Sequence, residues 1–401
     1  MHNVRKVTDD LYWIGVDDRR LTLFENIHPI PEGISYNSYV LLDEKTVLID
    51  TVELGCGKQF FENLSFVLQG RPLDYCIINH VEPDHASSIG ELLLRYPDVT
   101  LVASEKAFTL MGQFGFTINP GKKVVVKEGD TQAFGKHTFT FVNAPMVHWP
   151  EVIVSFDTTS GVLFSADAFG TFGALNGRLF NDEVDFDRDW LEPARRYYTN
   201  IVGKYGAPVQ MLLKKAAKLP IKMIAPLHGP VWRSNLAYFI DKYDKWSSYT
   251  PEEKGVLIVY GSMYGNTENA AEILAGKLVE KGITNVRMYD VSKTHVSYLI
   301  SETFKYSHLV IASVTYNLGI YPPMLNYLHD MAALAVQKRT VAIVGNGSWA
   351  PMAAGKIAKL IGEMKNMTLL EARPAVTSSV TKTTDEQLEQ LADGLVASVK
   401  G

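Results

Sequence analysis

His80-Val81-Glu82-Pro83-Asp84-His85 sets two imidazoles and two carboxylates in one short stretch, a mixture of nitrogen and hard oxygen donors suited to metal ions. His80 and Glu82 are two residues apart, so from an extended segment they point the same way. Asp84 and His85 follow in the turn and can face a second centre. One loop can thus serve two metals. His148, Asp167 and His228 each follow an apolar run of their own. Taken singly, each reads as an ordinary core or surface side chain. Taken together with the loop, they make a set of four imidazoles and three carboxylates.

A second chemical signal is the loop Gly261-Ser262-Met263-Tyr264-Gly265-Asn266-Thr267. Small and hydroxylated residues opening a helix offer unpaired backbone N–H groups and the positive end of a helix dipole, which is a phosphate site. It lacks the Gly-Lys-Ser/Thr ending of a Walker loop and is not Gly-x-Gly-x-x-Gly. With no lysine at hand, a monophosphate suits it better than a di- or triphosphate. Taken alone, the loop reads equally well as an N-cap and tight turn. Two further loops strengthen the signal, Thr315-Tyr316-Asn317-Leu318-Gly319 and Gly345-Asn346-Gly347-Ser348-Trp349-Ala350. Tyr316 and Trp349 offer aromatic faces, and the Gly and Asn residues offer backbone donors, for a flat heteroaromatic ring.

Elements that place these residues follow from hydrophobic rhythm. Up to about Asp244 short apolar runs alternate with turns, as at Leu11–Val16, Ser38–Leu42 and Thr46–Asp50, and read as strands of a layered sheet. Runs at Tyr75–Asn79, Thr138–Val142, Val162–Ser165 and Met223–Ala225 each lead into or towards a metal-binding side chain. Strand ends and the loops after them let a rigid sheet bring distant residues together. Polar residues interrupted by Pro251 mark a boundary, giving expected domains of 1–250 and 254–401. Beyond it, strands at Val256–Tyr260, His308–Ser313 and Thr340–Val344 alternate with helical patterns at Glu268–Glu280, Met324–Leu334, Pro351–Glu363 and Asp385–Val399. That alternation predicts a doubly wound parallel sheet with its ligand outside the C-terminal strand ends.

The 401 residues are 46% hydrophobic and 21% charged, with a formal net charge of -5. No run of Lys and Arg suggests nucleic acid or an anionic membrane as a partner. Cys56 and Cys76 are the only cysteines, so no disulfide framework, Cys-x-x-Cys or iron–sulfur module is expected, and an electron donor of that kind would be a separate protein. Neither a signal-type apolar core after Met1-His2-Asn3-Val4-Arg5-Lys6 nor an apolar run of membrane-spanning length occurs. The expectation is a cytoplasmic protein with no membrane partner.

The phosphate loop resembles that of flavodoxins, Ser/Thr-x-Thr-Gly-x-Thr, through Ser262, Gly265, Asn266 and Thr267, with Tyr264 departing from the usual threonine. This resemblance covers about residues 255–400 and implies FMN. The donor string looks like that of the metallo-β-lactamase fold, whose hydrolases carry His-x-His-x-Asp-His. Glu82 stands where those hydrolases have an imidazole. Zinc accepts nitrogen-rich sites, whereas added anionic oxygen favours higher-valent iron. Three carboxylates against two ferrous ions leave a charge of about +1, which eases oxidation.

Together the two halves resemble the flavodiiron proteins. The resemblance implies an α/β chain with an N-terminal metallo-β-lactamase-like αββα sandwich followed by a flavodoxin-like doubly wound parallel sheet. It implies two non-haem irons, with His80, Glu82 and His148 on one, Asp84, His85 and His228 on the other, and Asp167 bridging. It implies reduction of O2 to water or of NO to nitrous oxide, with electrons from a donor such as rubredoxin. It further implies a head-to-tail homodimer, with a dimer of dimers as the larger alternative. His28 and one of Tyr197 or Tyr198 are candidates to hydrogen-bond a bound diatomic. The rival readings are a metal-dependent hydrolase with an appended flavodoxin domain, against which Glu82 and the flavin loops count, and an electron carrier with structural metals.

Overall fold

Tyr39–Leu42 and Thr46–Ile49 are β-rich runs joined by a tight turn, so they pair antiparallel with Leu41 opposite Val47. In the computed structural model, which describes residues 2–401, this hairpin sits inside a seven-stranded sheet. From one edge the sheet runs Arg5–Lys6, Leu11–Trp13, Tyr39–Leu42, Thr46–Ile49, Tyr75–Ile77, Thr100–Ala103 and Lys123–Val125. The last four strands are parallel. A second sheet carries Thr131–Ala133, Thr138–Asn143, Ile153–Asp157, Val162–Phe164 and Met223–Ala225. Every residue of Thr46–Ile49 and of Ile153–Asp157 is buried. The sheets meet through rings such as Tyr39 on Phe164, 5.3 Å between centroids, and Tyr75 on Phe134, 5.0 Å. Helix Gly57–Leu68 buries Phe60, Phe61, Leu64 and Leu68, an i, i+4, i+8 stripe. The result is a metallo-β-lactamase-like layered α/β unit.

The expected strand over Leu11–Val16 divides in two. Leu11–Trp13 stays in the large sheet, while Val16–Asp18 pairs antiparallel with Ile34–Tyr36 in a separate ribbon. Gly15 allows the break, because a Cβ there would stand 2.3 Å from the Tyr36 carbonyl oxygen.

The chain divides into two compact units, the first ending at Tyr198 and resuming over Ala207–Asp244, the second made of Thr199–Gly206 and Lys245–Gly401. In the second unit the parallel sheet has the order Val286–Asp290, Glu253–Gly261, Tyr306–Tyr316, Thr340–Asn346, Thr368–Leu369. In chain order this is 2-1-3-4-5, the flavodoxin arrangement, with its crevice where the winding reverses. Ala270, Ala271, Leu274 and Leu278 of helix Asn266–Glu280 pack with Leu388, Leu391 and Leu395 of helix Lys382–Lys400 on Ile258, Val310 and Ala342. Full burial of each such leucine stabilises the unit by about 2 kcal/mol. Tyr306–Tyr316 outruns the strand expected from its apolar run and turns back through Asn317 and Leu318, both at positive φ, to pair with Gly319–Ile320. Among the described residues no helix is long and apolar enough to cross a membrane.

Candidate functional site

Strand Tyr75–Ile77 delivers the donor loop, and neighbouring polar groups hold it. Both Asp50 carboxylate oxygens accept from Asn79, the backbone N at 2.7 Å and Nδ2 at 2.7 Å. Burial pushes Asp50 up to about 6 although these bonds favour its charged form. Thr51 Oγ1 donates to the His85 carbonyl. Pro83 opens the short helix Pro83–Ala86, where its fixed φ is no cost. Asp84 and His85 therefore turn away from the direction taken by His80 and Glu82.

The seven expected donors come together as two groups. Glu82 Oε2 lies 3.2 Å from His80 Nε2 and 2.9 Å from His148 Nε2. Asp84 Oδ2 lies 3.2 Å from His85 Nε2 and 3.3 Å from His228 Nε2. Asp167 divides its oxygens between them. Oδ2 is 3.1 Å from His148 and 3.3 Å from His80, whereas Oδ1 is 3.2 Å from His85 and 3.7 Å from His228.

Two imidazoles have their outer nitrogens engaged. His228 Nδ1 is 2.7 Å from the Ser35 carbonyl oxygen, to which it donates, and His80 Nδ1 is 2.7 Å from Glu151 Oε1. A proton held on Nδ1 leaves the Nε2 lone pair free to point inward, as a metal requires.

Charge at the cluster is concentrated and scarcely hydrated. Burial favours the neutral form of Asp167, but the His80 charge and hydrogen bonds from His148 and His80 hold it well below the usual carboxylate range. Burial lowers His148, but hydrogen bonds to Asp167 and Glu82 carry it up to about 9. Both Asp84 oxygens and Asp167 Oδ1 are buried without a hydrogen bond. Orphaned carboxylate oxygens facing converging imidazole nitrogens are what a pair of cations would satisfy. Mixed N and O donors with two groups sharing one carboxylate fit two non-haem irons.

Of the proposed surrounding residues, Tyr197 reaches the cluster, with its ring centroid 5.3 Å from that of His228 and its hydroxyl buried without a hydrogen bond. Gly170 gives it room, since a Cβ there would lie 2.8 Å from Tyr197 Cε1. Tyr198 instead packs on Tyr243, 5.0 Å between centroids. His28 is buried beside Phe172. Sequence reasoning missed Asp50 and Glu151. Asp50 carried a readable signal, a carboxylate ending the strand Thr46–Ile49. Glu151 follows His148 by three residues and was equally open to notice.

In the second unit, a cleft of about 440 Å³ opens at the C-terminal ends of the sheet, a volume within the ordinary range for a small ligand. Every expected cofactor-contacting residue lines it except Gly265 and Gly319, and Val314, Leu318, Ala350 and Ser378 join them. Helix Asn266–Glu280 begins two residues before the apolar periodicity suggested, capped by Gly265 at φ 88°. Its first internal hydrogen bond runs from Asn269 N to Gly265 O, so the amides of the preceding turn remain for an anion. Ser262 Oγ accepts from Gly265 N, and buried Thr267 accepts from Asn346 Nδ2. No lysine lines the cleft. A monophosphate seat beside the rings of Tyr316 and Trp349 fits FMN. Ser378 follows strand Ala375–Val376 in a run of hydroxyls, a signal weaker than the glycine-rich loops.

Residues 34–229 match the ODP family beta lactamase and residues 258–393 the flavodoxin family. The anaerobic nitric oxide reductase flavorubredoxin of Vibrio vulnificus is 32% identical over 350 residues, spanning 86% of this chain and 70% of that protein. Among solved structures, the rubredoxin oxygen:oxidoreductase of Desulfovibrio gigas superposes with a TM-score of 0.92 at 27% identity, covering 99% of this chain and 98% of that one. A flavoprotein from Thermotoga maritima gives 0.90 at 28% over the same shares. Identity and coverage agree along both units, and the chain belongs to the flavodiiron protein family.

Proposed function

We propose that this protein is an oxidoreductase that reduces O2 to water, NO to nitrous oxide, or both. It works with FMN bound in domain 254–401 and two irons in domain 1–250, fed by a separate donor such as rubredoxin. The observation that carries the reading is Asp167, whose two oxygens are divided between two three-residue donor groups. A hydrolytic zinc site needs no such excess of carboxylate. The V. vulnificus relative is called a nitric oxide reductase and the D. gigas neighbour an oxygen:oxidoreductase, so both diatomics belong in the proposal.

When bound, the irons supply diatomic binding and electron transfer to it, and the flavin supplies two electrons. The chain's own residues do the rest. His80, Glu82 and His148 would hold one iron and Asp84, His85 and His228 the other, with Asp167 placed between the two groups. Glu151 and Ser35 fix the tautomers of His80 and His228. Tyr197 would offer its unengaged hydroxyl hydrogen to a bound diatomic, and buried His28 is the second candidate for that role. Ser262, Thr267 and the helix amides would hold the phosphate, and Tyr316 and Trp349 offer aromatic faces to the ring. Exposed Met263, Tyr264, Leu318 and Trp349 around the cleft suit a cover by a second copy in a head-to-tail dimer.

The test is direct. Protein made with iron and riboflavin should hold about two irons and one FMN per chain. Asp167→Asn and Glu82→Ala should abolish both reductase activities and lower iron while FMN stays bound. Zinc alone in the wild type, or full iron and activity in either variant, defeats the reading.

A further inference from the structure

Asp167 has no atom to spare for an orienting partner. His80 and His228 are each steered through the outer ring nitrogen, but both Asp167 oxygens face imidazoles of the donor groups, Oδ2 at 3.1 Å from His148 and Oδ1 at 3.2 Å from His85. Its direction therefore depends on the backbone that carries it. Ala166 and Phe169, which flank Asp167 along the chain, lie in the left-handed region at φ 52° and φ 67°. Only glycine and, through a local hydrogen bond, Asn or Asp enter that region readily. For a side chain as bulky as phenylalanine this is strain, and strain persists only where the surroundings impose it.

Helix Leu236–Ser247 imposes it. Within the turn Ala168 N donates to the Ser165 carbonyl at 3.2 Å and Gly170 N to the Asp167 carbonyl at 3.0 Å. The amide between them leaves the turn, and Phe169 N donates to the Tyr243 hydroxyl at 2.6 Å. The Phe169 ring also lies on the Tyr243 ring, 4.3 Å between centroids with the planes 29° apart, and is 5.7 Å from that of Phe239 one helical turn earlier. All three side chains are buried. One tyrosine thus holds Phe169 by its amide and by its ring. Without the hydroxyl a buried amide would lose its partner, a penalty the turn could escape only by moving. At the other end of the turn the Ala166 carbonyl accepts from Leu227 N at 3.0 Å, which ties the same turn to the segment that carries His228.

We propose that Tyr243 is a positioning residue for the carboxylate shared by the two metals, its hydroxyl and ring clamping Phe169 in the left-handed conformation that turns Asp167 toward both donor groups. The inference rests on the diiron reading above. Tyr243 acts through the turn and not as a ligand.

The experiment compares wild type with Tyr243→Phe, which keeps the ring and removes the hydroxyl. Tyr327→Phe removes a buried tyrosine hydroxyl bonded at 2.6 Å to Thr303 in the other unit and controls for lost stability alone. Iron release to a ferrous chelator, Mössbauer spectra of ⁵⁷Fe and hydrogen exchange of residues 165–171 are measured on the iron-loaded full chain. In Tyr243→Phe both irons should leave about tenfold faster, because the shared carboxylate serves both. Both iron environments should change, and residues 165–171 should exchange faster. Tyr327→Phe should match the wild type in all three. Unchanged release, unchanged spectra or unchanged exchange in Tyr243→Phe overturns the proposal, as do a change confined to one iron and an equal effect of Tyr327→Phe. A wild type with no iron pair defeats the diiron reading itself and takes this proposal with it.

Discussion

Glu151 Oε1 lies 2.7 Å from His80 Nδ1, with both side chains fully buried. The same oxygen accepts from Val81 N at 3.1 Å, so one carboxylate orients both the imidazole and the backbone that carries it. A buried carboxylate on the outer nitrogen of a metal-binding histidine fixes its tautomer and raises its basicity.

Glu151→Ala should therefore weaken iron binding by about 10- to 100-fold without touching the FMN cleft. Competition against a graded chelator series checks this, with flavin absorbance as the internal control. Equal loss of flavin and iron would point to general unfolding instead.

His137 sits between two carboxylates, Nδ1 2.7 Å from Asp157 and Nε2 3.1 Å from Asp10. Burial lowers its pKa, but hydrogen bonds to Asp157 and Asp10 outweigh this and raise it above the ordinary value of 6.5. Asp10 is also pushed up by burial, and Lys136 and His137 pull it down to about 2. The raised histidine stabilises the fold fully below about 6.5 and loses that contribution as pH rises through its folded value. The depressed aspartate contributes above its ordinary value and loses that contribution as pH falls through about 2. His137→Gln should accordingly cost on the order of 1 kcal/mol at mildly acid pH, a gap that narrows as pH rises. Urea melts of both proteins between mildly acid and alkaline pH measure it. A gap independent of pH would mean that the histidine is neutral throughout.

Thr267 is buried at the start of the phosphate helix, so Thr267→Glu should expel FMN by crowding and repelling the phosphate. Mixing this flavin-dead chain with an iron-dead Asp167→Ala chain tests the head-to-tail dimer. If electrons cross between chains, each mixed dimer regains one complete site, and random pairing returns roughly a quarter of wild-type activity. Activity that stays at background after exchange would place transfer within one chain.

Much of this protein is legible in its sequence. The loop His80–His85 announces itself because its donors are consecutive, and the flavodoxin-like half because strand, glycine-rich loop and helix follow one another in a local rhythm. His148, Asp167 and His228, each after its own apolar run, were readable as one donor set only when taken together with the loop and the family resemblance. Their convergence is a matter of which strands neighbour each other, a non-local property that periodicity does not encode. The sequence by itself determined the donor types, the two layered α/β units and the phosphate loop, because each depends on neighbours within a few residues. Tertiary structure alone decided that Tyr197 rather than Tyr198 faces the cluster and that Glu151 and Ser35 orient the imidazoles. Those outcomes turn on ångström-scale distances between segments far apart along the chain.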